Sequence, residues 1–300
     1  MAPMLAVAGD LPADDADWAF EFKWDGIRAL AHADRDRLRL VSRGGRDLTV
    51  AFPELAGLAT AVPDAVFDGE LVAFDADGRP RFARVLERMA VTDARRAARL
   101  AGTVPARYLI FDLLRYDGMD TRALPYRDRR RLLAELDPAG PGWSVVPVLD
   151  DGETAWRTAI ANGLEGVMAK RRAAPYRSGR RSPDWRKIKR VHTVDAVVGG
   201  WRPGARALGA LLVGERTGAG LSYRGRVGGG IGSTVEKDLI DRLQPLITDH
   251  SPFVEPLTRQ DSRGVVWVRP ELVVEIAFGE LTTDGRYRFP RLIRIRPDKS

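Results

Sequence analysis

The chain has 300 residues, 48 of them Lys or Arg against 41 Asp or Glu, with 44% hydrophobic residues and no cysteine. At about 150 residues per domain this length suggests two domains, and the composition is that of a folded globular chain rather than a disordered or collagenous one. The absence of cysteine excludes a disulfide framework, a thiolate nucleophile and cysteine-ligated metal sites, while a formal charge of +7 is compatible with a polyanionic partner without saying which.

In chain order, residues 18–23 (WAFEFK), 27–33 and 38–42 alternate as antiparallel strands joined by WDG and DRDR turns. FPELAGLATAV predicts a helix over 52–62, VFDGELVAF a strand pair or bulged strand over 66–74, and RFARVLERM a helix from 81. A buried strand at 107–114, an amphipathic helix at 126–136, a strand at 143–149 and a helix over 154–163 ending at glycine follow. LEGVMAK and WRKIKR then read as two short strands separated by a basic loop. Helices interleaved with largely antiparallel strands predict an α+β fold.

After Val191 the texture changes to short β-like runs at 195–201, 210–216, 221–228, 265–270, 272–278 and 292–297, with one helix at 233–247. Such a pattern fits a small β-barrel of OB-fold type. The chain therefore divides into domains 1–191 and 192–300. GRVGGGIG reads as a glycine-rich barrel turn, and GxxxxGK[ST] is absent.

His32, His192 and His250 are too dispersed for a motif such as HExxH. The first residues lack a signal-peptide pattern and no apolar run approaches the roughly 18 residues of a membrane span, so a cytoplasmic protein without a membrane partner is expected. Charge is concentrated between Lys170 and Arg190, where ten basic residues meet Asp184 alone. Of the 48 basic residues six are lysines, at 23, 170, 187, 189, 237 and 299. In so arginine-rich a chain a single retained lysine is explained by chance, whereas several within motifs point to places where a compact amine that can lose its proton serves better than a guanidinium.

Five of those lysines fall in a series of motifs: Lys23-Trp24-Asp25-Gly26-Ile27-Arg28, Glu165-Gly166-Val167-Met168-Ala169-Lys170, Trp185-Arg186-Lys187-Ile188-Lys189 and Arg296-Pro297-Asp298-Lys299. Between the first and second lie Ser42-Arg43-Gly44, Asp68-Gly69-Glu70 and Phe111-Asp112. A strand-end KxDG alone is a weak match, since a strand closing on a DG turn is common. The ordered set is not a chance coincidence.

With these motifs the sequence resembles the covalent nucleotidyltransferase superfamily, and within it the ATP-dependent DNA ligases, closest to bacterial end-joining types. The resemblance spans essentially the whole chain, as an adenylation domain followed by an OB-fold domain. It implies that Lys23 attacks the α-phosphate of ATP and carries AMP covalently, a task for an amine whose proton can leave. Burial and neighbouring cations would favour that loss. Lys187 and Lys189, alternate residues of one strand, project to the same face and are implied to neutralise the α-phosphate.

Further roles implied by the resemblance are ribose binding for Glu70, metal binding for Glu165, and an adenine sandwich between Phe111 and Met168. Glu21 matches the position that accepts from the adenine amino group. Arg28 and Arg43 match contacts to nucleotide and nick termini, and Arg296 and Lys299 a motif that closes over ATP. Asp25 and Asp68 have a plainer reading, in which each ties down its DG turn. Arg171, Arg172 and Arg177 are expected to bind DNA.

Magnesium, with manganese as a substitute, is implied. So is duplex DNA with nicks or breaks, gripped by a monomer at the bacterial nucleoid, with a Ku-like end-binding protein or other repair factors as partners. Two enzymatic alternatives share KxDG, an RNA ligase and a GTP-using capping guanylyltransferase. The C-terminal RPDK argues against the simpler RNA ligases, and Glu21 against GTP. A non-catalytic OB-fold DNA-binding protein is the alternative of another class.

Overall fold

The computed structural model describes residues 1–205, 207–282 and 284–299, and the chain forms two compact units, Met1–Lys189 and Arg190–Ser300. In the first unit the strands are β1 (Leu5–Ala8), β2 (Trp18–Lys23), β3 (Ile27–Asp34), β4 (Arg37–Ser42), β5 (Ala65–Ala73), β6 (Ala106–Tyr116), β7 (Met119–Asp120), β8 (Trp143–Val145), β9 (Gly166–Arg171) and β10 (Arg181–Lys189). Its helices are α1 (Leu58–Ala61), α2 (Phe82–Met89), α3 (Ala94–Thr103), α4 (Tyr126–Leu136) and α5 (Gly152–Ala161). A four-stranded sheet has the order β1-β10-β9-β2, and a six-stranded sheet runs β4-β3-β5-β6-β7 with β8 also on β6. Pairing is antiparallel except for β1 on β10 and β8 on β6.

Alternation decides which way each face turns. In the smaller sheet Trp18, Phe20, Val167, Ala169 and Ile188 pack with Ala155 and Ala159 of α5. Each fully buried aromatic or aliphatic chain there stabilises the unit by roughly 1.5–3 kcal/mol. The helix starts where Asp151 accepts a hydrogen bond from the Thr154 backbone N–H, a side-chain cap on an otherwise unpaired donor. In the larger sheet Ile27, Ala29, Ala31, Phe67, Leu71 and Ile110 face a core shared with α1 and α2. Between the two sheets lies a third cluster of Met4, Leu30, Val66, Leu114, Tyr176 and Trp185, with Phe111 and Met168 partly buried against it.

Several expectations are corrected. The helix expected over 52–62 is instead a 3-10 turn at Pro53–Leu55 followed by the single-turn α1. Pro53 cannot extend a helix backwards, and Gly57 separates two short turns whose Leu55, Leu58 and Ala59 reach one core. The strand expected over 143–149 stops at Val145. Among the elements not anticipated are β1, β7 and α3, whose N-cap Asp93 accepts from Arg96 N at 2.7 Å. Of the expected 66–74, residues 66–73 lie in one bulged strand, β5, with register shifts at Val66/Phe67 and Asp68/Gly69.

The second unit contains β11 (His192–Arg202), β12 (Ala210–Thr217), β13 (Gly220–Val227), α6 (Ser233–Leu243), β14 (Ile247–Thr248), α7 (Arg259–Ser262), β15 (Val266–Val268), β16 (Val273–Phe278) and β17 (Arg291–Ile295). The strands join in one sheet, β13-β12-β11-β15-β14, with β16 between β11 and β17. Ala196, Val198, Leu211, Val213, Val274 and Ile276 make its core with Leu239 and Leu243 of α6. The helix is shorter than the expected 233–247 because Pro245 turns its end into a 3-10 segment, Gln244–Leu246. The whole is the α+β architecture expected, with an OB-fold second unit. Among the described residues no helix is long and apolar enough to cross a membrane.

Candidate functional site

Strand register builds the site. Directly opposed residues of antiparallel neighbours share a face, so β2, β9 and β10 set out three rows: Lys23, Gly166 and Lys189; Glu21, Met168 and Lys187; Ala19, Lys170 and Trp185. All lie opposite the face covered by α5. Gly166 has φ +144°, and a Cβ there would sit 2.0 Å from the Ile188 carbonyl oxygen, so only glycine fits between the two lysines.

Glu165, the residue before that glycine, bridges the row. Lys23 Nζ donates to Glu165 Oε2 and Lys189 Nζ pairs with Oε1. The Glu165 carboxyl is burial-opposed but is held below its ordinary value by Lys23 and Lys189. Lys187 has no ion-pair partner among the described residues. Burial, followed by the charges of Lys189, Arg181 and Lys23, pushes its ammonium below the usual lysine range, with Glu165 opposing. An unpaired cation in such a row is ready to take an anion.

The larger sheet supplies the facing wall. Arg28 on β3 opposes Glu70 on β5. The Glu70 carboxyl is pushed up to about 8, by burial first and also by Asp68 and Glu165, against the pull of Lys23 and Arg28. Arg28 Nε and Nη2 donate to Asp68 at 2.9 and 2.6 Å, and Tyr176 donates its hydroxyl to Asp68 Oδ2 at 2.6 Å. Asp68 therefore holds no turn, contrary to its plainer reading. It is a fully buried mid-strand carboxylate that fixes Arg28.

Phe111 owes its direction to a bulge. Asp68 pairs with Asp112 and Gly69 with Ile110, leaving Phe111 as the extra residue, and a bulge re-aims a side chain. Its neighbour Asp112 is locked by Arg129 Nε and Nη2 at 2.7 and 2.8 Å, a pair wholly removed from solvent. Phe111 and Met168 thus meet the same cluster from opposite sheets, which brings the expected sandwich pair together. Glu21 lies in the row of Met168, buried, with Tyr126 and Lys170 on its two oxygens.

Other expected residues lie elsewhere or are already engaged. Arg43 is exposed in the turn after β4, its backbone N–H on the Arg28 carbonyl at 3.2 Å. Arg171 pairs with Asp17 and Asp184, Arg172 with Asp150, and Arg177 with Asp184. Arg296 and Lys299 belong to the second unit, where Asp195 takes Arg296 Nη1 at 2.9 Å and Lys299 Nζ at 2.6 Å. Arg296 also grips Asp298, whose carboxyl falls to about 2 through that hydrogen bond.

Two site residues, Tyr126 and Tyr176, carry no motif, and Lys170, which closes the Glu165–Lys170 motif, has no role in the sequence reading although its side chain is 1% exposed. Its retention as lysine in an arginine-rich chain was the available signal. Among the described residues no group of three or more His, Cys, Asp or Glu side chains forms a metal cage. A single carboxylate such as Glu165 fits the chemistry of magnesium, which takes one or two carboxylates and completes its shell with water and phosphate oxygens, once its oxygens are released by Lys23 and Lys189.

The family model for an ATP dependent DNA ligase domain matches residues 3–189, and that for an ATP dependent DNA ligase C terminal region matches residues 204–299. The multifunctional non-homologous end joining DNA repair protein LigD of Mycobacterium tuberculosis is 40% identical over 308 residues, covering 100% of this chain and 39% of that protein. A probable DNA ligase of Streptomyces avermitilis is 36% identical over 298 residues, covering 94% of this chain and 56% of that one. The chain spans about two-fifths of the length of the first of these relatives. The structure of mycobacterial DNA ligase D complexed with ATP and MES is 39% identical, with a TM-score of 0.58, and covers 100% of this chain and 96% of that one. A facing pair of sheets with a lysine row, followed by an OB-fold unit, and these matches over both units lead to one conclusion: the chain belongs to the ATP-dependent DNA ligase family.

Proposed function

We propose that the protein seals 5′-phosphate and 3′-hydroxyl termini in duplex DNA at the expense of ATP. The observation that carries this is the row in which Lys23 shares Glu165 with Lys189 while Lys187, one row away, has no counter-ion among the described residues. Phosphoryl transfer needs alignment and charge neutralisation around a single nucleophile, and this row supplies both.

In the first step Lys23 leaves Glu165, gives up a proton, and attacks the α-phosphorus of ATP. A P–N bond forms, the bond to the β-phosphate oxygen breaks, and pyrophosphate departs. Lys187 and Lys189 balance the charge on the α-phosphate oxygens. Glu21 accepts from the base amino group, Phe111 and Met168 pack on its faces, and Glu70 accepts from a ribose hydroxyl. A 5′-phosphate oxygen of DNA next attacks the same phosphorus, breaking P–N and freeing Lys23. Finally the adjoining 3′-hydroxyl attacks the 5′-phosphorus and AMP leaves. Glu165 would hold a magnesium ion, or manganese in its place, which polarises phosphate oxygens when bound.

Arg43 is the exposed guanidinium suited to a terminal phosphate, and Arg28, fixed by Asp68, lines the nucleotide side. Arg171, Arg172 and Arg177 add to a DNA-facing surface. Arg296 and Lys299 orient the departing pyrophosphate. The chain acts as a monomer in the bacterial cytoplasm, at the nucleoid, in end-joining repair with a Ku-like partner. The boundary of its two domains falls between residues 191 and 192.

Intact mass before and after incubation with ATP and magnesium tests the reading, alongside sealing of a nicked duplex. A gain of one adenylate that Lys23→Ala abolishes is expected, with sealing lost in parallel. A wild-type chain that never gains that mass and arrives without it, or that takes label from GTP and not ATP, overturns it.

A further inference from the structure

Lys170 is a cation enclosed beside the site. Its side chain is 1% exposed, and its ammonium lies 2.7 Å from Glu21 Oε2, a close ionic contact rather than an aligned hydrogen bond. The rest of its surroundings are rings: the Phe111 centroid at 4.2 Å, Trp185 at 4.4 Å and Tyr126 at 5.2 Å. Ring faces stabilise a desolvated cation. A compact ammonium fits among three of them, which accounts for a lysine at a site in a chain with 42 arginines.

Glu21 depends on this cation. It is 2% exposed, and its other oxygen accepts from the Tyr126 hydroxyl, itself 1% exposed. The further charged groups acting on Lys170 are Asp112 of β6 and Arg130 of α4, and Asp112 is already committed to Arg129. Burial pushes the Lys170 ammonium down from the ordinary lysine range, while Glu21 and Asp112 oppose that. A buried carboxyl deprived of its counter-ion takes up a proton and turns from pure acceptor into donor.

We propose that Lys170 is the positioning residue that fixes the hydrogen-bond polarity of the base-reading group, holding Glu21 as an acceptor so that the site takes a purine bearing an amino group at position 6 and refuses one bearing a carbonyl there. This rests on the reading of Glu21 as the group that meets the base. Phe111 couples the two parts, since the ring that encloses Lys170 is also the ring against which the base stacks.

The test is covalent labelling with α-labelled ATP and GTP on wild type, Lys170→Met, Tyr126→Phe and Glu21→Gln, each checked for folding by circular dichroism. Lys170→Met lets a protonated Glu21 donate to the guanine carbonyl, so the ATP-to-GTP ratio of labelling efficiency falls about tenfold or more. The change resides in KM for ATP rather than in the maximal rate, because Lys23 and Glu165 are untouched. Tyr126→Phe, which removes a neutral donor and no charge, keeps the wild-type ratio. A collapse of the ratio in Glu21→Gln with none in Lys170→Met overturns the role of Lys170. An unchanged ratio in Glu21→Gln overturns the base-reading assignment beneath it, and an unlabelled wild type the function itself. Should Lys170→Met not fold, the infrared difference between wild type and Glu21→Gln at neutral pH decides. An ionised carboxylate band supports the proposal and a protonated carboxyl band sinks it.

Discussion

At the scale of the residue, the clearest consequence is that Glu70 holds a proton where an ordinary glutamate has lost it. Its folded carboxyl titrates at about 8 against 4.5 for the reference side chain. Between those values the folded state binds more protons than the unfolded one, so Glu70 costs stability progressively as pH rises through that window. The thermal midpoint of the nucleotide-free protein is expected to decline from about pH 5 to pH 8 more steeply than that of Glu70→Gln, and parallel curves would contradict it. Motif residues such as Lys23, Lys187 and Glu165 were legible in the sequence because each stands at a fixed place relative to a strand end or a glycine. The burial of Lys170 and the Asp68–Arg28–Tyr176 pairing were not, because each joins side chains tens to more than a hundred positions apart. No local pattern encodes such a partnership.

Among the elements, strand register does the most, and the row of Lys23, Gly166 and Lys189 depends on a glycine. Gly166→Ala places a methyl group 2.0 Å from the Ile188 carbonyl at a φ of +144°, and a strained backbone position of this kind costs about 1–3 kcal/mol. A lower urea midpoint together with weaker adenylylation is the expected outcome, and a variant with unaltered midpoint would show that β9 and β10 tolerate separation there. Alternation in WAFEFK predicted β2 and the shared face of Glu21 and Lys23. The same alternation cannot reveal that β6 carries an extra residue at Phe111, because a bulge is a property of two strands paired. The failure at 52–62 has the opposite origin. Good helix formers are present, but Pro53 and Gly57 and the demand of one core for Leu55 and Leu58 outweigh propensity.

For the whole molecule, the excess of arginine is unevenly spent. Arg171, Arg172 and Arg177 are paired internally, so under the proposed function each must leave a carboxylate before it can meet a phosphate. If six or more phosphates are met, affinity for a nicked duplex drops ~10³-fold from about 50 to about 200 mM salt, measured by fluorescence anisotropy. A flat response would mean that few of these guanidinium groups touch DNA. The change of texture after Val191, where short β runs are punctuated by glycine, is the sequence feature on which the expected division rests. In the second unit, Asp195 occupies both Arg296 and Lys299. Any incoming anion at these two cations meets a tethered rival that no dilution removes, so its apparent affinity is scaled down by the fraction of time the carboxylate lets go. The C-terminal motif is thereby graded towards multiply charged guests, which alone repay the displacement of a resident negative charge.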